Sequence, residues 1–461
     1  MAVLMRVYPP DAGGVSITQA GQSLRCSGPL YRGKRGFGGG RAAHYCEFPA
    51  HRLHLPPMTA PQEAAPTTAW AWDARRLAQL GVLTFARFLQ NTLLRMVYPF
   101  APAFARGLGV PVATIYLIVS LRNLLGLSSP LLAHLPERHG RRVVMSLTLL
   151  IFGVASLLVV GLPVVWTLGL AIIVAGVLKV IFDPAMQSYL GDVVPYHQRG
   201  KALSVTEFAW SGAFLVGAPL TGWLIANQGW PAPFLWLGVG GLVAAIFLWR
   251  VLPPAGKPRG RAVGAANTWQ ALRQHPVIWA AALYMMLALV AQETLFIVYG
   301  DWMESTFSLS LTSLGLATTL IGLAEMGGEA TAGWSVDRFG KRPVVILCGL
   351  LNAAIFLIIP LSTGSLVSAM TVMIALFFTF EIAIVGAIPL LTELVPSERV
   401  VVMSMGLGAM AAGRTIGSII GPFVWARAGM TGNSAISAVM MLLAVLVLAR
   451  WLREGKEAIH E

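Results

Sequence analysis

The chain has 461 residues, of which 56% are hydrophobic and only 11% charged, with a net charge of +13. An average soluble protein is about 25% charged, and so little charge cannot cover a water-soluble surface of this size. A soluble enzyme is thereby all but excluded. Disorder and a collagen-like repeat are excluded as well, because the apolar excess is global and has no Gly-x-y period. What remains is an all-α polytopic membrane protein, whose few charges belong at helix ends or act inside. Cys26, Cys46 and Cys348 have neither metal-ligand spacing nor a disulfide framework.

Residues 1–70 are rich in Gly, Pro, Arg and His and hold no long apolar run. They read as a disordered N-terminal extension without the pattern of a signal peptide. Met58 opens a more ordinary start, a short Pro/Ala tail followed by Arg75-Arg76 and the first apolar run. Translation is therefore expected to begin near Met58. Peptides from residues 1–57 in mass spectra would refute that.

Apolar spans follow at roughly 77–101, 111–133, 143–162, 165–190, 202–226 and 231–252, then 276–299, 311–333, 343–362, 366–391, 401–424 and 432–451. Each has about 20 residues or more, enough to cross a hydrocarbon core of about 30 Å. The longest loop, 253–275, divides the twelve spans into bundles 71–252 and 276–452, and a tail follows at 453–461. Lys and Arg crowd the loops after even-numbered spans: Arg138, Arg141, Arg142, Arg199, Lys201, Arg250, Lys257, Arg259, Arg261, Arg273, Arg338, Lys341, Arg342 and Arg399. The opposite side has only Arg106 and Arg427. The positive-inside rule then puts both termini and the central loop in the cytoplasm. It also accounts for the basic balance without nucleic acid.

The two halves repeat at an offset of about 200 residues. Glu137-Arg138-His139-Gly140-Arg141-Arg142 matches Asp337-Arg338-Phe339-Gly340-Lys341-Arg342. Asp192-Val193-Val194-Pro195 matches Glu393-Leu394-Val395-Pro396, followed by Arg199 and Arg399, and Val97-Tyr98 matches Val298-Tyr299. A parallel repeat of six-span halves puts a substrate pathway between the halves, near the midplane.

The run from Gly333 to Arg342, Gly-x-x-x-Asp-Arg-x-Gly-Lys-Arg, resembles the signature loop of the major facilitator superfamily. The first copy departs from it, with Ala133 for the leading Gly and Glu137 for the Asp. The resemblance covers about residues 75–452. It implies twelve transmembrane helices in two pseudo-symmetric six-helix bundles and transport by alternating access. It also implies a conformational latch built from Glu137, Arg138, Gly140, Arg141, Arg142, Asp192 and Arg199, and from Gly333, Asp337, Arg338, Gly340, Lys341, Arg342, Glu393 and Arg399. Gly217-Ala218-Pro219-Leu220-Thr221-Gly222 resembles half of the motif of drug/proton antiporters in the superfamily, with Ala218 and Trp223 where that motif has Gly.

An ionisable residue at the bilayer centre costs about 2.5–3.5 kcal/mol on insertion scales, so it usually faces the bundle interior. Arg87, Asn91 and Arg95 share one face of span 1 at steps of four, beside Gln90. Arg122 and Asn123 lie in span 2, Lys179 and Asp183 one turn apart in span 4, and Glu207 opens span 5. Gln292 and Glu293 lie in span 7, Glu325 and Glu329 in span 8, Glu381 in span 10 and Arg414 in span 11. Basic residues thus dominate the first half and carboxylates the second. Glu293, Glu325, Glu329 and Glu381 are candidates for proton coupling or for a cationic substrate. Arg87, Arg95 and Arg122 are candidates for an anionic group or for counter-ions. Most tryptophans fall near span ends and read as an interface belt.

The sequence therefore predicts a secondary transporter, proton-coupled and exporting a small amphipathic compound. Symport of a sugar or an organic acid is the alternative, and a sensor that moves nothing a remote one. No nucleophile elbow, His-rich cluster or phosphate-binding loop points to an enzyme or an ATP-driven pump. The expected driving force is a proton gradient with no cofactor. The expected partners are a small molecule and the lipid bilayer, around a monomer in a bacterial-type plasma membrane.

Overall fold

The computed structural model describes residues 73–128, 132, 135–253 and 265–452, together with two short strands. The chain divides into two units, Met1–Thr67 and Thr68–Glu461. In the first, β1 (Val15–Gln19) and β2 (Gln22–Cys26) pair antiparallel with Gln19 opposite Gln22. Ten residues that the sequence places in a disordered extension thus form a hairpin, and the β-branched Val15, Ile17 and Thr18 favour a strand. The rest of that extension, Met58 included, lies outside the described residues, as do residues 254–264 of the linker and the tail 453–461.

The second unit is helical among its described residues. Its first half comprises α1 (Ala74–Leu108), α2 (Val112–Leu125), α3 (Leu135–His139), α4 (Arg141–Gly161), α5 (Val165–Val193), α6 (Tyr196–Gly212), α7 (Ala218–Gln228) and α8 (Ala232–Val251). A five-residue π-helical segment, Ala213–Gly217, joins α6 to α7. Next come α9 (Ala265–Gln274), α10 (Val277–Phe296), α11 (Tyr299–Phe307), α12 (Leu311–Phe339), α13 (Lys341–Ile358), α14 (Leu366–Leu394) and α15 (Arg399–Trp451).

Eight helical segments are long and apolar enough to cross a membrane: α4, α5, α6–α7, α8, α10–α11, α13 with its 3-10 extension, α14, and Pro396–Trp451. The last has 56 residues, enough for two crossings, and it turns at Gly429 with φ 58° and ψ −155°. With α1, α2 and α12 the described residues hold helix for twelve crossings. α2 falls outside the apolar set because it is short, and α1 and α12 because polar residues, Arg87, Arg95, Glu325 and Glu329 among them, dilute their apolar runs.

Local chemistry sets the helix ends. The Asp73 side chain accepts from the Arg76 N–H at 2.8 Å and caps α1, and Ser310 and Ser365 cap α12 and α14 in the same way. Gly140 and Gly340 each make a one-residue turn at φ 87°, a conformation that favours glycine. The same turn recurs at the same place in each half.

Two boundaries differ from the sequence expectation. Spans 11 and 12 are joined through Gly429 alone, where a longer loop is expected. The end of the linker is a helix, α9, because Ala271 and Leu272 bury one face while Trp269 stays exposed.

The first half packs through α4 against α5 and α8, and through α1 against α6 and α8; the second packs through α10 against α15 and α14 against α12 and α13. Between halves, α12 meets α7, α15 meets α2, and α1 meets α11. The end that carries the even-to-odd loops is called here the basic end. At the other end the halves approach backbone to backbone. A Cβ on Gly300 would lie 2.2 Å from the Pro99 carbonyl oxygen, and one on Gly222 would lie 2.4 Å from that of Leu311. The ion pairs at the basic end, Arg141–Asp192 and Lys341–Glu393, each stay within one half. Between halves, among the described residues, the ion pairs are Arg95–Glu325 at mid-depth and Arg106–Glu304 at the opposite end. The halves therefore approach closely at the opposite end, while the two ion pairs described at the basic end stay within one half each.

Candidate functional site

The site begins as a ladder on α1. Steps of four put Arg87, Asn91 and Arg95 on one helix face. Each donates at 2.9 Å to a backbone carbonyl of α6: Arg87 to Thr206, Asn91 to Ala209 and Arg95 to Trp210. All three α1 side chains are buried. The ladder ties α1 to α6 just before the π-helical segment, and such irregular turns are frequent at functional sites.

Arg95 also crosses to the other half. Its Nη2 lies 2.5 Å from Glu325 Oε1, and the two side chains are 5% and 3% exposed. The guanidinium packs against two rings, with its carbon 4.1 Å from the Trp210 centroid and 3.6 Å from that of Phe214. Cation–π contact of this kind is worth about 0.5–2 kcal/mol, which offsets part of the cost of burying the charge. The second Glu325 oxygen has no hydrogen-bond partner among the described residues.

A second chain of bonds joins four helices. Arg122 donates to the Leu94 carbonyl at 2.8 Å, to the Tyr98 hydroxyl at 3.0 Å and to Asn123 Oδ1 at 2.9 Å. The Tyr98 hydroxyl in turn donates to Glu293 Oε1 at 2.8 Å. Asn123 donates to the same carboxylate oxygen at 3.3 Å and to Ser418 Oγ at 3.4 Å. Arg122 thus reaches Glu293 through Tyr98 and, more loosely, through Asn123. Gly176 on α5 makes room for this arginine, since a Cβ there would lie 2.6 Å from Arg122 Cγ.

Three further groups face this cluster without an ion pair among the described residues. Glu329 lies 3.4 Å from the Ser211 hydroxyl. Glu381 is buried on α14, facing Glu325, Glu329, Arg95 and Arg414. Arg414 is half-buried, with its guanidinium carbon 5.4 Å from the Trp210 centroid. Glu325 and Glu381 stand near the middle of α12 and α14, and Glu293 near the middle of the α10–α11 span, so the cluster lies at mid-depth.

A third network stays in the first half. Asp183 accepts from Lys179 at 2.6 Å and lies 3.4 Å from Arg87, and Arg87 reaches Glu207 at 2.8 Å. The Glu207 side chain is 45% exposed, so this network opens towards the basic end. Trp210 touches both networks, with the Lys179 ammonium 5.8 Å from its ring centroid.

The family profile described as "Major Facilitator Superfamily" matches residues 83–300 and 282–460. The chain belongs to the major facilitator superfamily. The chain is 26% identical to the niacin transporter NiaP of Acinetobacter baylyi over 353 residues, 68% of this chain and 78% of that protein. It is 23% identical to Multidrug resistance protein 2 of Bacillus subtilis over 339 residues, 71% of this chain and 83% of that protein. Among solved structures it is similar to a bacterial homologue of the human lysosomal transporter Spinster, with a TM-score of 0.68 at 15% identity, covering 84% and 98% of the two chains. The xylose transporter XylE of E. coli, partially occluded and inward open, gives 0.67 at 17% identity, covering 83% and 99%.

The superfamily's signature loops occupy the basic end in both halves. Arg141 pairs with Asp192 and donates to the Ser188 carbonyl, and Lys341 pairs with Glu393. Arg142 lies over Trp249 at 4.3 Å, while Arg342 holds the end of α15 through the Ala449 and Leu452 carbonyls. Arg199 donates to the Val194 carbonyl. Gly333, Arg138, Asp337, Arg338 and Arg399 are exposed. The Glu137 side chain lies outside the described residues.

Sequence reasoning missed Trp210 and the bridging role of Tyr98. The available signals were position and repeat. Trp210 lies inside span 5, away from the interface belt, and Tyr98 belongs to the Val-Tyr pair repeated at Tyr299. Both tyrosines stack on Phe296, at 4.9 and 5.4 Å. Of the belt tryptophans, Trp166, Trp223, Trp236, Trp249 and Trp451 are exposed, whereas Trp230 packs on Phe104 and Phe234.

Proposed function

We propose that this chain is a proton-coupled secondary transporter that exports small amphipathic compounds by alternating access. The carrying observation is the Arg95–Glu325 pair, buried at mid-depth and shared between the two halves. A buried pair is strongly disfavoured once one partner loses its charge. Protonation of Glu325 would therefore release Arg95 and loosen the halves where they meet. Glu329 and Glu381, which form no ion pair among the described residues, are the further stations for a proton. Glu293, tied through Tyr98 to Arg122, would report the same event to α2 and α15.

Alternating access then proceeds by rocking one half on the other. Loss of the mid-depth pair lets the close approaches at Gly300 and Gly222 separate. Closure of the basic end brings the signature loops together as a latch. Each exposed latch pair is worth about 0.2–1 kcal/mol, small enough to open on every cycle. The basic loops favour a cytoplasmic position for the basic end and both termini. On that orientation the structure opens inward, in a bacterial-type plasma membrane, and the chain acts as a monomer.

The export reading is supported by the similarity to a multidrug resistance protein and by the partial antiporter motif at Gly217–Gly222. A second reading, uptake of a small metabolite by symport, is favoured by the similarity to niacin transporters and by the unpaired Arg414. A substrate screen in everted vesicles with an imposed pH gradient tests both. Export predicts accumulation inside everted vesicles, driven by an acid interior. Accumulation driven by an acid exterior favours symport, and flux indifferent to the gradient refutes proton coupling.

A further inference from the structure

Trp210 sits among three cations. Arg95, Arg414 and Lys179 lie 4.1, 5.4 and 5.8 Å from its ring centroid. Two of the three are balanced: Arg95 pairs with Glu325 and Lys179 with Asp183. Arg414 is not. Among the described residues its guanidinium donates no hydrogen bond and forms no ion pair, and only its backbone carbonyl is engaged, by Asn123 at 3.4 Å. The charge is held inside a transmembrane bundle, where an arginine at mid-depth costs about 2.5–3.5 kcal/mol on insertion scales. Contact with Trp210 offsets part of that cost. The guanidinium fork, built to take a carboxylate through two parallel bonds, is left open.

Both residues are half-buried, so neither is sealed in the core. Glu329 and Glu207, also partly exposed, continue the surface from Trp210 towards the basic end. At the ring itself a cationic ligand would meet three cations, although carboxylates stand behind them: Glu325 and Asp183 in ion pairs, Glu293 and Glu381 facing Arg414. A neutral ligand would leave the open fork unpaired, at the cost of a buried polar group without a partner. A planar anion satisfies both demands, with its ring on Trp210 and its carboxylate on Arg414.

We infer that Trp210 and Arg414 form a binding subsite for a small aromatic carboxylate. This rests on the transporter reading and names the class of substrate that its central site takes. The probe is 2-naphthoate, measured by equilibrium dialysis on the purified full-length protein in detergent. 2-Naphthamide serves as the uncharged analogue and cyclohexanecarboxylate as the non-aromatic one.

The expected result is saturable binding of 2-naphthoate, at least tenfold tighter than either analogue. Arg414→Gln weakens it tenfold or more, and Arg414→Lys, which keeps the charge, weakens it less. Trp210→Leu abolishes the preference for the aromatic acid over cyclohexanecarboxylate. Equal binding of 2-naphthoate and 2-naphthamide overturns the inference, as does unchanged affinity in Arg414→Gln or the absence of saturable binding. Gradient-driven flux of another compound in vesicles, with no 2-naphthoate bound, sinks this inference and leaves the transporter reading standing. Saturable 2-naphthoate binding by a protein that moves nothing sustains the subsite and sinks the transporter reading.

Discussion

Replacing Glu325 with Gln tests how the two halves are joined. The wild-type pair is 2.5 Å long with both side chains at least nine-tenths buried. Removing one member of a buried pair costs about 3–5 kcal/mol, mostly because the surviving charge is stranded. Gln keeps one oxygen to accept from Arg95, and Arg95 keeps its bond to the Trp210 carbonyl and its two ring contacts. A charged acceptor contributes about 1–2 kcal/mol more than a neutral one. The expected penalty on the closed opposite end is therefore about 1–3 kcal/mol, roughly a five- to 150-fold shift in population, since 1.36 kcal/mol is one decade. The assay is alkylation of a single cysteine placed at Thr318, buried near Tyr299 on the opposite-end side of Glu325. Glu325→Gln should raise its alkylation rate at least fivefold, and the rate should no longer respond to pH. A rate equal to the parent's, with its pH response intact, would refute the assignment of Glu325 as the protonated hinge of the interface.

Other perturbations separate the remaining parts. Asp337→Ala or Arg338→Ala should slow turnover at least fivefold in reconstituted vesicles while changing substrate affinity less than twofold; equal losses in both would contradict a latch. Gly300→Val should block closure of the opposite end, because the nearest atom is the Pro99 carbonyl backbone and cannot swing away; cysteine accessibility there should rise, and unchanged accessibility would show that the close approach is dispensable. Arg106→Ala should change transport little, by less than about 1 kcal/mol, because the arginine is 56% exposed in its pair with Glu304. Asn433→Ala removes the donor to the Thr294 and Gly421 carbonyls, at 2.7 and 3.1 Å, and should cost about 1–3 kcal/mol, read as a lower melting temperature.

Much of the architecture is legible in the sequence because membrane helices are written as long apolar runs. The signature loops are legible for a related reason: a one-residue turn needs a residue such as Gly140 or Gly340 at positive φ. Some helices that build the site are harder to read, because α1 and α12 dilute their apolar runs with polar and charged residues and α2 is short. Spacing did reveal the ladder of Arg87, Asn91 and Arg95 and the Lys179–Asp183 pair, since both are local to one helix. Partnerships between helices carry no such spacing. Nothing in the chain near Arg95 names Glu325, 230 residues away, and nothing near Glu293 names Tyr98. Trp210 was hidden for another reason. A tryptophan in a membrane helix reads as an interface residue until its neighbours are known to be cations.

The central claim is that the two ends open reciprocally about the mid-depth cluster. Spin-label distances in proteoliposomes test it, between Lys201 and Val400 at the basic end and between Leu162 and Leu361 at the opposite end, all four exposed. Between pH 8 and pH 5 the account predicts that one distance lengthens as the other shortens, and that Glu325→Gln fixes both at one setting. Distances that move together, or that ignore pH in the wild-type protein, would contradict it.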